Sequence, residues 1–409
     1  MDKSDLAWIT VSTLLVLMMT LPGLALFYGG MARARNVLSV LSQVMGTCAL
    51  ALLLWFVYGY SLAFTEGSGA LGGVSRLFFN GLYLPGGTPV MPLQGSIPEL
   101  AFAAFQATFA GITCALITGS FAERARFGAV MLFTGIWFTL AYLPIAHMVW
   151  ASDGWLLQRG ALDFAGGTVV HINAGVAGLV CAWLIGARKG YGREAMPPHH
   201  LPMTLAGAAL LWIGWFGFNA GSALAINEVA VLAFINTLLA SAAGVLSWSL
   251  IERIARGKAS LLGGASGAIA GLVGITPAAG LVAPIGAVCI GALTAAACVF
   301  GVNQLKRRLR ADDTFDVFGI HGVGGIVGAL LTGVFHSAVL GGPGDSGWAA
   351  LFTQVWLQFE GVAITILWSG VAAWIAYAIA NRAIGMRCSV EDEQRGLNQA
   401  DHGEAAYQR

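Results

Sequence analysis

The sequence predicts an all-α polytopic membrane protein. Of its 409 residues, 57% are hydrophobic and only 10% are charged, which excludes an ordinary soluble domain. Apolar stretches long enough to cross a bilayer recur along the whole chain. We predict eleven transmembrane helices, at about residues 7–30, 38–64, 101–122, 128–150, 164–187, 203–224, 229–251, 262–276, 281–303, 317–340 and 350–381.

Two of these spans need separate justification. The apolar sequence is continuous through 262–303, and its division into two spans depends on the turn signal TPAAG at 276–280. The last span, 350–381, exceeds the roughly 20 residues needed to cross a bilayer, so we expect a long, tilted helix that braces the bundle. The stretch 65–99 is rich in Gly and Pro and predicts a loop over one mouth of the protein.

The basic residues indicate the orientation in the membrane, because short cytoplasmic loops collect Lys and Arg. With the N-terminus outside, only Lys3, Arg76 and Arg159 remain external. The internal residues are then Arg33, Arg35, Arg124, Arg126, Arg188, Lys189, Arg193, Arg253, Arg256, Lys258, Lys306, Arg307, Arg308, Arg310, Arg382, Arg387, Arg395 and Arg409. An odd number of spans places the tail, 383–409, in the cytoplasm. We therefore predict a multi-pass protein of the cell (inner) membrane.

Other features of the composition argue against several classes of site. Five of the six cysteines lie inside apolar spans without paired spacing, so neither a disulfide framework nor a zinc motif is indicated. The net charge of +1 gives no nucleic-acid signature. The first span is preceded by MDKSD, without a basic region or a cleavage pattern, which predicts that it is retained.

Two histidines reveal an internal repeat. His171 and His321 lie 150 residues apart, and each begins the pattern H-x3-G-x2-G. Taking the first five spans as one unit (7–187) and the next five as a second (203–340) places one histidine in the last span of each unit. Because five is odd, the repeats must be inverted. An inverted repeat brings corresponding helices together near the bilayer centre, which predicts a transport site there.

The histidine pair allows two kinds of chemistry. Neutral imidazole donates through one nitrogen and accepts through the other, so two facing rings can share a hydrogen bond and offer their remaining nitrogens to a polar molecule. A haem or copper ion would use the same nitrogens, but such sites carry further ligands. Because no Cys or Met is placed to complete such a site, we predict neither a metal nor a cofactor.

Aromatic residues gather in spans three, four and six: Phe105, Phe109, Trp150, Trp215, Phe216 and Phe218. At a mouth, Trp150 and Phe105 can hold a small cation by cation–π attraction, with Ser222 as a hydrogen-bond acceptor. Deeper rings can form a dry gate. The alternative is that Trp150 belongs to an interfacial belt and the phenylalanines serve packing or face lipid.

Three acidic residues also call for an interpretation. Asp163 lies eight residues before His171, where it can cap a helix, attract a cation, or do both. Asp316, five residues before His321, occupies the corresponding start of span ten, and we interpret it as a cap. Glu360 in the last span receives no assignment.

Five stretches resemble the Amt/Rh ammonium transporter family, specifically its bacterial Amt branch. They are LPGLALFYGG at 21–30, PIAHMVW at 144–150, DFAGGTVVHINA at 163–174, GWFGFNAGS at 214–222 and DVFGIHGV at 316–323. The resemblance implies a non-enzymatic ammonium transporter for nitrogen uptake. It also implies a homotrimer in which each subunit has eleven helices and its own pore.

The resemblance assigns roles to the residues above. Phe105, Trp150 and Ser222 match an external ammonium-recruitment site that Asp163 supports. Phe109 and Phe218 match a phenyl gate, and His171 and His321 match a twin-histidine pair in a pore that Trp215 also lines. The resemblance further implies that a PII-type regulatory protein meets the cytoplasmic loops and tail. The domains are then 1–382, with the bracing helix 350–381, and the tail 383–409.

The expected mechanism is recruitment of ammonium, deprotonation near the gate and conduction of ammonia past the histidines. Whether the proton crosses separately, and whether methylammonium is carried, stays open at this point. The alternatives are an electroneutral Rh-like channel for ammonia or carbon dioxide and a membrane ammonium sensor. A bis-histidine haem or copper electron carrier would require a coloured or metal-containing protein.

Overall fold

The computed structural model describes residues 1–84 and 90–407. Within this part of the chain, ten helices are long and apolar enough to cross a membrane. They are α1 (Lys3–Met31), α2 (Ala34–Phe64), α3 (Glu99–Ser120), α4 (Phe127–Gln158), α5 (Gly167–Ile185), α6 (Leu201–Gly221), α7 (Glu228–Arg256), α9 (Pro284–Arg308), α10 (Phe318–Phe335) and α11 (Trp348–Ala383). Between α7 and α9 lies a shorter apolar helix, α8 (Leu261–Ile275).

The all-α polytopic fold is therefore confirmed. The turn predicted at 276–280 separates α8 from α9. The count of eleven crossings stays a prediction, because the 15 residues of α8 rise only about 22 Å, against about 30 Å of bilayer core. Helix α11 has 36 residues and a length of about 54 Å, so it must tilt if it crosses once.

Helices α5 and α10 cross at two glycines. A Cβ atom on Gly175 would lie 2.4 Å from the backbone nitrogen of Gly322, which is closer than side chains approach. Only glycine lets the two backbones come this near. Since Gly175 follows His171 by one turn and Gly322 follows His321 directly, this crossing brings the two histidines together.

Both histidines lie in wide, π-helical first turns. These turns are Gly167–Ile172 at the start of α5 and Phe318–Gly322 at the start of α10. Segments of this kind are rare and often occur at functional sites. The two helices that carry the histidines therefore begin in the same unusual way.

Irregular chain covers one end of the bundle, which we call the cavity end. It contains two short hairpins, β1 (Gly67–Ser68) with β2 (Leu71–Gly72) and β3 (Leu93–Gln94) with β4 (Ile97–Pro98). His147 of α4 fastens the first hairpin, since its Nδ1 lies 3.0 Å from the Ala63 carbonyl oxygen and its Nε2 lies 2.7 Å from that of Ser68. Part of the loop predicted at 65–99, residues 85–89, lies outside the described residues.

Buried ion pairs hold the opposite end, which we call the tail end. Arg188 pairs with Asp312 at 2.8 Å and with Glu123 at 3.0 Å, so one guanidinium joins loops from both halves of the chain. Burial alone would raise the pKa of Asp312, but the hydrogen bonds and charge of Arg188 and Arg124 hold it below its ordinary value.

The tail lies against this end as two short helices, α12 (Val390–Arg395) and α13 (Leu397–His402). The Asn398 side-chain oxygen accepts hydrogen bonds from the backbone N–H groups of Leu38 and Ser39 at the start of α2. Asn36 in turn accepts from the backbone N–H of Leu397. The tail is thus docked on the same bundle end that carries the ion pairs.

Candidate functional site

The two histidines form a buried pair. The Nδ1 atoms of His171 and His321 lie 3.3 Å apart, and the ring centroids are 5.3 Å apart with an interplanar angle of 29°. His171 is 1% exposed and His321 5% exposed. Because each neutral ring has one N–H, the short contact can be a single shared hydrogen bond.

Thr276 indicates which histidine donates this bond. Its hydroxyl donates to the Leu272 carbonyl at 2.8 Å and accepts from Trp215 Nε1 at 2.9 Å. The same oxygen lies 3.4 Å from His171 Nε2, and with its own proton already committed it can only accept there. His171 then carries its proton on Nε2 and accepts at Nδ1. His321 must donate from Nδ1, which leaves its Nε2 as a free acceptor.

Stacked aromatic rings lie beside the pair. Phe109 and Phe218 stack with centroids 4.1 Å apart at an angle of 22°, and both are fully buried. The rings of Trp215 and Phe218 lie 5.3 Å and 6.1 Å from the His171 ring. The sequence-predicted gate and pore residues are therefore neighbours in space.

A cavity of about 480 Å³ opens at the cavity end, next to the aromatic stack. Trp150 and Ser222 border it, and the Trp150 ring meets the Phe109 ring edge-on at 5.8 Å. The Ser222 hydroxyl donates to the Phe218 carbonyl at 2.8 Å, so toward the cavity its oxygen can only accept. Phe105 does not border the cavity. It is fully buried and packs edge-on against Phe109 at 4.9 Å.

Asp163 organises the start of α5. Its carboxylate accepts hydrogen bonds from the backbone N–H groups of Gly166, Gly167 and Thr168 at 2.6–2.8 Å, and from the Thr168 hydroxyl. Burial raises the pKa of Asp163, and these hydrogen bonds oppose that shift. The Asp163 backbone carbonyl also accepts from Trp150 Nε1 at 2.9 Å. The residue therefore caps the helix and orients the cavity tryptophan, without bordering the cavity itself.

The cap predicted at Asp316 is wrong. The carboxylate of Asp313 accepts from the backbone N–H of Phe318 at 2.8 Å, whereas Asp316 pairs with Lys306 Nζ at 2.8 Å. Burial raises the pKa of Asp316, and the charge of Lys306 counters it. Asp313 lies eight residues before His321, the spacing of Asp163 from His171. That spacing was the available signal, and matching the acids by spacing would have found Asp313.

Two further residues lie at the site that the sequence did not predict. Thr276 follows α8 in the predicted turn. Gln106 of α3 borders the cavity, and its amide oxygen is buried without a hydrogen-bond partner among the described residues. Neither belongs to a motif with a known spacing. Glu360, left unassigned, pairs with Arg159 at 2.8 Å. Within the described residues, no group of three or more His, Cys, Asp or Glu side chains is arranged to hold a metal.

The Ammonium Transporter Family model matches residues 7–407. The chain belongs to this family. This ammonium transporter is 44% identical to the ammonium transporter of Bacillus subtilis, with 100% of this chain and 99% of the relative covered. It is also 44% identical to the ammonium transporter of Aquifex aeolicus, covering 100% of this chain and 94% of that relative.

Solved structures resemble the transporter over nearly its whole length. Saccharomyces cerevisiae Mep2 matches with a TM-score of 0.85 at 37% identity, covering 96% of this chain and 88% of Mep2. A protein described as a sensor Amt protein matches with a TM-score of 0.88 at 26% identity, covering 98% of both chains. The family and the ten long apolar helices make this chain a multi-pass membrane protein that transports ammonium or ammonia.

Proposed function

We propose that the transporter recruits ammonium in the cavity at Trp150 and Ser222, removes a proton near the Phe109 and Phe218 rings, and conducts ammonia past His171 and His321. The observation that carries this proposal is the sequence of environments along the path from the cavity to the histidines. A cavity with hydrogen-bond acceptors leads to a fully buried aromatic stack, which is followed at once by a buried histidine pair. A positive charge is stabilised in the cavity but is costly in the aromatic stack and beside the histidine pair.

Desolvation supplies the step that separates ammonium from potassium. Ammonium resembles the head of a lysine side chain, whose reference pKa of about 10.4 falls by several units on burial. Potassium has a similar size but cannot lose a proton. A stack that excludes water therefore passes ammonia and rejects potassium, while Asp163 acts indirectly by fixing Trp150. Phe105 contributes from behind Phe109 as part of the wall.

The histidines give ammonia a polar path inside an apolar pore. With Thr276 fixing the proton on His171 Nε2, His321 offers an unprotonated Nε2 that can accept a hydrogen bond from ammonia. Replacing both histidines with alanine is expected to lower ammonium-specific flux in proteoliposomes by at least about 10-fold, since an apolar pore offers ammonia no partner. Normal ammonium-selective flux in a correctly folded double variant would refute this role.

The organisation and surroundings of the transporter are also proposals. The asymmetric distribution of Lys and Arg supports an external N-terminus and a cytoplasmic tail in the cell (inner) membrane. We take 1–382 as the transport domain, with inverted repeats 7–187 and 203–340, and 383–409 as the tail. The family resemblance supports a homotrimer and a PII-type regulatory protein at the cytoplasmic face. The mass of the detergent-solubilised protein tests the first, and co-purification with a PII protein tests the second.

The proposed mechanism is tested by current across a solid-supported membrane that carries the purified protein in liposomes. An ammonium pulse should give a transient current that decays faster at higher protein density, and a matched potassium pulse should give none. Rapid internal alkalinisation without current would instead support electroneutral, Rh-like conduction of ammonia. An absence of both signals would contradict transport and favour the sensor alternative.

A further inference from the structure

A second concave feature lies on the outer surface of the bundle, between α4 and α11. Two cavities follow one another along α11, one of about 590 Å³ beside the first hairpin and one of about 430 Å³ farther from the cavity end. Leu367 and Trp368 border both, so the two cavities form one continuous groove, which we call the α4–α11 groove. It is distinct from the cavity at Trp150, because no described residue borders both.

Apolar side chains line most of this groove. The part farther from the cavity end is bordered by Leu140, Leu367, Trp368, Val371, Ala372 and Ile375. The indole N–H of Trp368 is already committed, since it donates to the Leu140 carbonyl oxygen at 2.8 Å, so the ring offers only carbon to the groove. Leu367 and Val371 are 69% and 59% exposed, so the groove is open along its side rather than sealed by other helices.

The length of the groove matches one leaflet of a bilayer. On α11 it runs from Ile364 to Ile375, and this stretch rises about 16 Å along the helix axis. Each leaflet of a hydrocarbon core about 30 Å thick is about 15 Å deep. Because the groove begins beside the hairpin of the cavity end, it spans the leaflet on that side and ends near the bilayer centre.

The mouth of the groove is polar. Residues 68–70 of the hairpin border it together with Trp155, and the Arg159 guanidinium lies over the Trp155 ring at 5.6 Å. Tryptophan concentrates at the level of the lipid headgroups. Arg159 donates through Nε and Nη2 to Glu360 and makes no hydrogen bond through Nη1 within the described residues. A cationic donor therefore stands at the depth where a headgroup phosphate lies.

We propose that the α4–α11 groove binds one acyl chain of a phospholipid from the leaflet at the cavity end, with the headgroup phosphate at Arg159. A phospholipid combines an apolar chain of one-leaflet length with an anion at the interface, which are the two chemistries that the groove presents. The groove is open to the bilayer-facing surface of α11, so a lipid enters it sideways from the membrane. Met148 borders the groove two residues before Trp150, so a bound chain packs against the helix end that carries the cavity tryptophan.

The test measures thermal unfolding of the full chain after its lipid has been removed in detergent. Adding palmitoyl-oleoyl phosphatidylglycerol should raise the wild-type midpoint saturably, by at least about 2 °C, because a ligand that binds only the folded state stabilises it. Val371→Trp places an indole in the groove and should lose most of this rise. Ile379→Trp is the matched control, since Ile379 is an exposed β-branched residue of the same helix, about two turns farther on, that does not border the groove.

The headgroup contact has its own measurement. Arg159→Gln, made in a Glu360→Gln background so that no unpaired carboxylate repels the lipid, should raise the half-saturating phospholipid concentration about 3- to 10-fold relative to Glu360→Gln alone. The maximal rise in the midpoint should stay the same, because the chain still fills the groove. An unchanged half-saturating concentration would overturn the assignment of the phosphate to Arg159.

Other results would overturn the groove as a lipid site. Equal rises in the wild type, Val371→Trp and Ile379→Trp would mean that lipid coats the helices without entering the groove, and a loss in both variants would assign the effect to the helix surface. A changed mass of detergent-solubilised Val371→Trp would instead make the groove an interface between copies. If Val371→Trp does not fold, Ala70→Phe fills the mouth from the hairpin, and native mass spectrometry should then find less phospholipid retained on the variant than on the wild type.

Discussion

Helices α5 and α10 carry the two histidines, and their first turns share a pattern of backbone hydrogen bonds. Asp163 and Asp313 each lie eight residues before their histidine, and each carboxylate accepts from the backbone N–H five residues on. The backbone bonds that follow also match, from Val170 to Gly166 at 2.9 Å and from Ile320 to Asp316 at 2.8 Å. The offset is again that of the histidines, which supports the proposed repeat.

The carboxylates of Asp163 and Asp313 differ in the number of hydrogen bonds that they accept. Both oxygens of Asp163 are occupied by backbone and hydroxyl donors at the start of α5. Asp313 makes one such bond, and its Oδ1 has no partner among the described residues. The start of α10 relies instead on Lys306 and Asp316. The start of α5 is therefore held by a saturated backbone cap, whereas the start of α10 combines one backbone bond with an ion pair.

The two ends also differ in what surrounds each helix start. The carbonyl of Asp163 fixes Trp150, so the cap of α5 and the cavity wall form one unit. At the tail end, Tyr28 packs on Phe315 with centroids 5.2 Å apart, and the Tyr28 hydroxyl donates to Leu116. The two histidine-bearing helices therefore start alike in backbone geometry but lie beside different aromatic surroundings at the two ends of the bundle.

Alanine at the two equivalent acids should give very different losses. Asp163→Ala leaves at least three buried backbone N–H groups without an acceptor, and at about 1–3 kcal/mol each this should lower the free energy of unfolding by at least about 3 kcal/mol. Asp313→Ala removes one such bond and should cost about 1–3 kcal/mol. Thermal unfolding of the detergent-solubilised variants measures both. Equal losses would show that the two mouths are equivalent.

Acid should weaken the tail end first. Because the pKa of Asp312 is lowered in the folded protein, its ion pair contributes stability above the unfolded carboxyl value of about 3.9 and loses it as the pH falls through the lower folded value. Asp312→Asn should cost about 3–5 kcal/mol at neutral pH, since it leaves Arg188 buried without its main partner.

Thermal unfolding in detergent at pH 3 to 7 checks this prediction, with the pH range set by the reference carboxyl value of about 3.9. Glu360→Gln is the control at the cavity end, because its partner Arg159 is well exposed and the pair should matter little. A midpoint that falls equally in both variants would contradict the idea that the buried ion pairs of the tail end matter more than the exposed pair of the cavity end.

Thr276 should have a smaller effect, confined to the first histidine. Thr276→Val keeps the shape but removes the acceptor for His171 Nε2 and Trp215 Nε1, so the proton of the pair is no longer fixed. We expect flux to fall about 3- to 10-fold, the range of one neutral hydrogen bond, and Thr276→Ser to restore it. Uptake rates at saturating ammonium test this. Failure of serine to restore flux would assign Thr276 to packing instead.

The sequence predicted those parts of the site that leave a pattern. Hydropathy located the helices because burial in a bilayer demands long apolar runs. The repeated H-x3-G-x2-G located the pair because its first glycines, Gly175 and Gly325, lie tightly against the residues that follow the opposite histidines, Gly322 and Ile172. Asp316 was misassigned because it was matched by its place at the helix start rather than by its distance from the histidine.

Gln106 and Thr276 could not be predicted in the same way. What distinguishes Gln106 is a buried amide oxygen without a partner among the described residues, and what distinguishes Thr276 is a hydroxyl whose proton is already committed. Both properties depend on which neighbours are within hydrogen-bond reach, and these come from helices distant in the chain. The same holds for Phe105, whose place behind Phe109 follows from the rotation of α3 in the bundle.

The last comparison exchanges the residues at equivalent positions 166 and 316, three residues after Asp163 and Asp313, and we expect the smallest effect from Asp316→Gly. Position 166 is glycine and position 316 is aspartate, and both backbones have positive φ, +115° and +58°. Asp316→Gly relieves backbone strain of about 1 kcal/mol but leaves Lys306, whose side chain is 16% exposed, without its partner, so the net loss of stability should be smaller than that of Asp312→Asn. The reverse change, Gly166→Asp, should be disruptive, because a Cβ atom there would lie 2.7 Å from Val170 Cγ2. Thermal midpoints of the two variants test this, and similar midpoints would mean that the two helix starts are interchangeable.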